Sequence, residues 1–320
     1  MICKCIFVAM FLFANACSTS ITNEPVTQHA VETTDATMFE SPWVFEGDEG
    51  VRYVSDVWDI RTTIKYEHIL ESLPPFYDAL IERYTTVFGV LPYPKEKMDV
   101  FLFASEEQWQ SKLSQMLGKE AEHWFQLKSG GVTIDGIAVL YHLDRRGRSR
   151  VTLRIAAHEG WHQYAEAAFV SCLPTWLDEG IGTWMEGFRI RRGEVQFLPA
   201  SNWDRLTTLR EIINAGRMSS LNVLMQSDPS TLLSTSRTTL LGYYAQLWGL
   251  VSFIIEYEEG KYMPALRTLL QEAAIGAIRE PSKGWLSYFS TDQVLFEKNI
   301  TNGLCNMLGP VVHGVDWFFI

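Results

Sequence analysis

The sequence predicts an α+β fold in which strand patterns cluster before residue 149 and helix patterns follow it. Two observations carry that expectation. Short runs rich in β-branched and aromatic residues recur between Val51 and Tyr141, whereas apolar residues recur at helical spacing through most of the stretch from Ser149 to Ala274. A third bounds it: 320 residues, 47% hydrophobic and 20% charged, are enough for one large domain or for two lobes sharing a core.

The chain begins with Lys4 and an apolar run from Ile6 to Ala14, closed by Ala14-Asn15-Ala16-Cys17. Residues 1–16 read as a signal peptide, too short for a permanent span, which takes roughly 20 apolar residues. The junction resembles the lipobox of bacterial lipoproteins, with Ala14 where leucine is usual. Cys17 is therefore expected to carry lipid and to tether the chain to the membrane of the cell envelope. Cleavage after Ala16, giving a soluble secreted or periplasmic protein, and an uncleaved anchor are the alternatives; all three export the folded part. Cys3 and Cys5 leave with the signal, and an exported compartment permits Cys172 and Cys305 either to pair or to remain two buried thiols. Residues 17–45, rich in Thr, Ser, Glu and Pro, read as a flexible tether.

An N-terminal lobe is expected over residues 46–148. Val51 to Ile64 reads as a strand. Tyr66 to Phe88 follows a helical pattern that Pro74-Pro75 must bend or split. Met98 to Ala104 reads as a strand, Ser105 as the N-cap of a helix with Gln108 completing a capping box, and Gly130 to Tyr141 as strand with a turn at Asp135-Gly136. Residues 149–320 are expected to be mostly helical and to form one catalytic unit with the first lobe. Helices are placed over Ser149–Ala168, Pro174–Gly187, Trp203–Ala215, Ser220–Met225, Thr239–Glu258 and Lys261–Ala274, with a strand pair around Gly193.

A net charge of -11 argues against nucleic acid, since phosphate binding needs clustered cations. The one dense basic group, Arg145, Arg146, Arg148 and Arg150, reads as a solvated loop before a helix.

The chemistry is concentrated in His158-Glu159-Gly160-Trp161-His162. On a helix, residues i and i+4 share a face, so two imidazoles can meet one metal ion. A hydrolytic zinc site takes a third protein ligand and leaves a position for water. Glu179, in Trp176-Leu-Asp-Glu-Gly180 on the next helix, is the candidate, with 16 residues between it and His162 for the chain to turn back. Thr183 and Glu186 fall on the same stripe and are expected to accept the remaining ring N–H groups of the histidines. Gly180 and Gly182 would let the helices approach closely. Asp178 reads as a solvated or capping charge and as a fallback ligand. Trp161, Trp176 and Trp184 read as packing, and Gln163 has no assignable role.

These two motifs resemble those of the gluzincin peptidases, and more closely the peptidase MA-like bacterial domains of that clan. Tyr243-Tyr-Ala-Gln-Leu-Trp248 resembles that family's tyrosine-bearing helix, so the likeness spans about residues 50 to 275. It implies a zincin-like fold, Zn2+ held by His158, His162 and Glu179, and Glu159 as general base. A metal-activated water would then hydrolyse a peptide or protein substrate, with Tyr244 (or Tyr243) stabilising the oxyanion. An extended substrate could add to the edge of the strand around Val132 to Leu140. The alternatives are a non-catalytic surface lipoprotein of the same fold acting as a binding or assembly module, and helices that only mimic the motif.

Overall fold

A computed structural model describes residues 38–125, 130–143, 150–229, 232, 236–278, 285–290 and 292–307. The signal peptide, Cys17, the tether up to residue 37 and Arg145, Arg146 and Arg148 lie outside them.

The described part is α+β, with a mixed sheet in the N-terminal half and helices dominating the rest. Strands β1 (Phe39–Phe45), β2 (Asp48–Val54), β3 (Trp58–Thr62), β4 (Met98–Phe103), β5 (Gly131–Ile134) and β6 (Ile137–Tyr141) form one sheet in the order β1-β2-β3-β4-β6-β5. The strands β3, β4 and β6 run parallel and the outer pairs antiparallel. Strand β1 corrects the tether boundary: its alternating Phe39, Ser41, Trp43 and Phe45 pair with β2, and the aromatic rings of Trp43 and Phe45 pack on Phe103. The single strand expected over Val51–Ile64 is two, joined by a turn in which Ser55 Oγ accepts from Val57 and Trp58 N–H.

Helices cover both faces of the sheet, so β4 is apolar from Val100 to Phe103 rather than alternating with polar residues. Val100 and Leu102 face the main core, and Phe101 and Phe103 face a second core with Trp109. Trp109 and Leu113 come from α3 (Glu106–Leu117), capped by Ser105 as expected; a short α4 (Ala121–Trp124) follows. On the main-core side, the Tyr66–Phe88 pattern splits into α1 (Glu67–Leu70) and α2 (Leu73–Thr86), with Pro74-Pro75 in the first turn of α2 where missing amides are harmless.

The centre of the molecule is a stack of three helices: α5 (Arg150–Ala168), α6 (Thr175–Met185) and, after α7 (Trp203–Asn214) and α8 (Leu221–Gln226), α9 (Arg237–Glu256). Helix α6 lies between α5 and α9 and is buried on every side. That is why its sequence, Thr-Trp-Leu-Asp-Glu-Gly-Ile-Gly-Thr-Trp-Met, shows no polar face. Its glycines carry the close approaches. A methyl at Gly180 would lie 2.6 Å from Val251 of α9, and one at Gly182 would lie 3.2 Å from the His158 ring. The hairpin β7 (Phe188–Arg191) and β8 (Glu194–Phe197) leads to α7, and α10 (Met263–Ile275) and α11 (Gln293–Met307) complete the helical part. Backbone N–H groups of Val170 and Ser171 donate to Ala273 O and pin the α5–α6 connection to α10. Cys172, in that connection, is disulfide-bonded, which removes it from the free-thiol alternative; the Cys305 side chain lies outside the described residues.

Candidate metal centre

Helices α5 and α6 pack closely enough that His158, His162 and Glu179 present ligand atoms within 4.8 Å of one another, a group able to hold a metal ion. His158 Nε2 lies 3.2 Å and His162 Nε2 3.6 Å from the same atom, Glu179 Oε2. A tetrahedral site with bonds of about 2.1 Å has ligand–ligand edges of about 3.4 Å, so these separations suit one small cation. The three side chains are buried or nearly so.

The far ring nitrogens decide which nitrogens remain for a metal. His158 Nδ1 meets Glu186 Oε1 at 3.1 Å, and His162 Nδ1 meets Asp178 Oδ2 at 2.9 Å. With each Nδ1–H donating to a carboxylate, Nε2 is the nitrogen that each ring would offer a metal at the common point once it gives up its proton. Glu186 thus takes the place expected of it. Asp178 is a correction: it is buried, receives Trp161 Nε1–H at 2.8 Å and holds the second histidine, so it is neither solvated nor a ligand. Thr183 is a second correction. Its hydroxyl donates to the Glu179 carbonyl, 2.5 Å away and one turn back on its own helix, rather than to a histidine.

Two residues without a local sequence signal hold Glu186 in place. Arg205, in the first turn of α7, donates from Nη2 to Glu186 Oε1 at 2.9 Å and from Nε to Oε2 at 3.2 Å; Asn202 Nδ2 donates to Oε2 at 2.9 Å. The Arg205 guanidinium also sits 5.2 Å over the Tyr244 ring. Tyr244 in turn stands edge-on to His158, with 6.0 Å between ring centroids, while Tyr243 turns away and donates to Ser227 O. Of the two tyrosines, Tyr244 is the one at the centre.

In the absence of an ion these groups hold one another charged. Burial opposes a charged ring at both histidines, but Glu179 and Glu186 outweigh it and raise His158 to about 9, and Asp178 with Glu179 raises His162 well above its ordinary value. Burial likewise pushes both glutamates up, and is overcome: the two histidines bring Glu179 down to about 2, and Arg205 with His158 brings Glu186 to about 2. Burial, then the charges of Glu179 and Glu159, push Tyr244 well above the usual tyrosine value, so it keeps its proton as a donor.

Glu159 points the other way from the helix pair, toward β5. Thr133 Oγ1 lies 2.8 Å from Glu159 Oε2 and 3.1 Å from its carbonyl oxygen, so an edge-strand hydroxyl holds the carboxylate. A cavity of about 170 Å³ opens between β5, α5 and α6 and is lined by Thr133, His158, Glu159, His162, Glu179 and Tyr244 among others. Gln163, unassigned from the sequence, ties the same region to the sheet: its Nε2 donates to Asp99 O and Gly136 O. Trp161, Trp176 and Trp184 are core residues, as expected.

No curated protein matches the chain. Residues 153–274, which include both histidines, Glu159, Glu179, Arg205 and Tyr244, match a family described as a protein of unknown function (DUF1570).

Proposed function

We propose that this protein is a zinc-dependent peptidase of the gluzincin type, with a zincin-like fold, acting on peptide or protein substrates. The observation that carries this reading is the double carboxylate–histidine arrangement. Two Nδ1 atoms are tied back by Glu186 and Asp178, so both Nε2 atoms and Glu179 Oε2 converge at the floor of a cleft beside Glu159. Two imidazoles and one carboxylate with room for a further ligand match hydrolytic zinc in number and type of donor. Bound there, zinc would polarise a carbonyl and lower the pKa of water.

The chain's own groups supply the proton chemistry. Glu159, held by Thr133 at the cleft, takes a proton from the attacking water and returns it to the departing amine. Tyr244, kept protonated and steadied by Arg205, donates to the oxyanion as it forms. Strand β5, the last in the sheet order among the described residues, offers main-chain hydrogen bonds to an extended substrate. Export with a lipid anchor on Cys17 belongs to the same proposal, and the disulfide at Cys172 suits an oxidising compartment.

The test is zinc content of the purified protein and cleavage of a mixed peptide library with and without a chelator, on the native chain and on Glu159→Ala. Glu159→Ala is expected to keep zinc and to lose about 10²- to 10⁴-fold in hydrolysis, the range for a general base. Zinc lost with that substitution, or full activity retained, overturns the assignment. Zinc binding with no hydrolysis by the native chain would favour the binding-module alternative.

A further inference from the structure

Of the carboxylates lining the cleft, two have no salt bridge among the described residues, Glu159 and Glu166. Glu186 is matched by Arg205, Asp178 by His162 and Trp161, Glu179 by both histidines, and Glu159 is held by Thr133. Glu166 also lines the cleft, yet no salt bridge reaches it among the described residues; its carboxylate takes a backbone hydrogen bond from Gly136. The cation that bears on it, His162, is already engaged by Asp178, while Asp135 and Asp178 repel it.

Its position relates it to the reacting centre. Glu166 is four residues beyond His162 on α5, hence about 6 Å further along the helix on the same face. Strand β5 follows α5 in the same direction. A methyl at Gly131 would touch Ile155 and Glu159, Thr133 reaches Glu159, and Gly136 lies against Gln163 and Glu166. A peptide laid along β5 advances about 3.3 Å per residue, so Glu166 stands about two residues beyond the level of His162 and about three beyond that of Glu159. Ala165 and Leu173 line the cleft beside it and give an aliphatic stem apolar wall to lie on.

We propose that Glu166 makes this cleft selective for peptides carrying a cationic group two or three residues from the reacting bond. The group is a lysine or arginine side chain or the peptide's own α-ammonium. The proposal rests on the peptidase reading for the word "reacting" and on the cleft geometry for the rest. A half-buried carboxylate with no salt bridge among the described residues gains most from a ligand that brings a cation, because the charge is already partly withdrawn from water.

Binding tests it independently of turnover. Fluorescent decapeptides carrying lysine or arginine at each successive position, or acetyl-lysine or citrulline in the same place, are titrated by anisotropy into the zinc-loaded full chain with Glu159→Gln. Each is made with a free and an acetylated N-terminus. Cationic peptides are expected to bind about tenfold more tightly than their neutral counterparts, the scale of one partly desolvated charge pair. Glu166→Gln should bring that ratio to within about twofold of unity, and Glu166→Lys should invert it in favour of glutamate-bearing peptides. Loss of the preference on acetylating the N-terminus names the α-ammonium as the cation; persistence names the side chain. No charge preference in the parent, or a preference unchanged by Glu166→Gln, overturns the proposal. Charge-selective binding without cleavage by the zinc-loaded native chain would sink the peptidase reading and leave Glu166 as the cation site, whereas cleavage without charge selectivity would sink Glu166 alone.

Discussion

The two histidines of the centre are held by different kinds of scaffold. His162 is braced within the α5–α6 pair alone: Asp178 on α6 takes its Nδ1–H and is itself fixed by Trp161, the residue preceding His162. His158 is braced from outside that pair. Its partner Glu186 ends α6 and is gripped by Asn202 and Arg205 at the start of α7, some twenty residues on. The first brace is neutral plus anion, the second anion plus buried cation. They should therefore fail differently, in stability as well as in metal affinity.

The sharpest break is Glu186→Ala. Removing it frees the His158 ring and leaves the Arg205 guanidinium, only 18% exposed at its side chain, without its bidentate partner. Breaking a buried pair from one side costs about 3–5 kcal/mol, and loss of an outer partner of a metal-binding histidine costs about 10–100-fold in affinity. Chemical denaturation of the metal-free chain and competition with a zinc chelator measure the two effects. Asp178→Asn should separate them. The amide oxygen can still accept from Trp161, so stability should fall by only about 1–3 kcal/mol, while metal affinity should drop by about 10–100-fold, as for Glu186→Ala. Equal losses of stability in both variants would erase the distinction between the braces.

Acidity sharpens the comparison without mutation. Without metal, His158 is raised from 6.5 to about 9. The stability it adds is complete below 6.5 and is lost as pH rises through 9. Glu179 and Glu186 are lowered from 4.5 to about 2, so what they add is complete above 4.5 and is lost as pH falls toward 2. For these groups the metal-free chain is best supported between 4.5 and 6.5. Metal binding runs the other way, since each Nε2 must be free of its proton. Affinity should climb from pH 6 to 9, with about two protons released per ion at the acid end, one for each histidine, and fewer as pH nears 9. Calorimetric titration in buffers of different ionisation enthalpy counts those protons; a pH-independent affinity would remove the two rings from the site.

Much of this was legible in the sequence, and what was legible was local. The i, i+4 histidines, the proline-started helix with Glu179 and the glycines at 180 and 182 each act within one turn or one helix pair, and periodicity reports on such distances. The capping serine at 105 and the Asp135-Gly136 turn, with φ of 48° and 73°, were visible for the same reason. Arg205, Asn202 and Thr133 were not. They reach the centre from elements 20 to 50 residues distant, and nothing in Asn202-Trp-Asp-Arg205 distinguishes a buried anion clamp from a solvated helix start. Asp178 was misjudged because a charge is ordinarily solvated; only the burial of α6 on every side shows otherwise.

Thr183 shows the limit of arguing from a helical stripe, and it gives the smallest expected effect. It sits four residues after Glu179 and three before Glu186, so the spacing aims it toward the histidines, yet the hydroxyl of a buried helical threonine finds the carbonyl four residues back first. That carbonyl keeps its helical partner if the hydroxyl is removed. Thr183→Val should then cost about 1 kcal/mol at most. Zinc affinity should stay within about twofold, since neither ring loses a partner and the side-chain volume is nearly conserved. A tenfold loss of zinc affinity in Thr183→Val would return Thr183 to the histidines and would mean that the His158 side carries two braces rather than one.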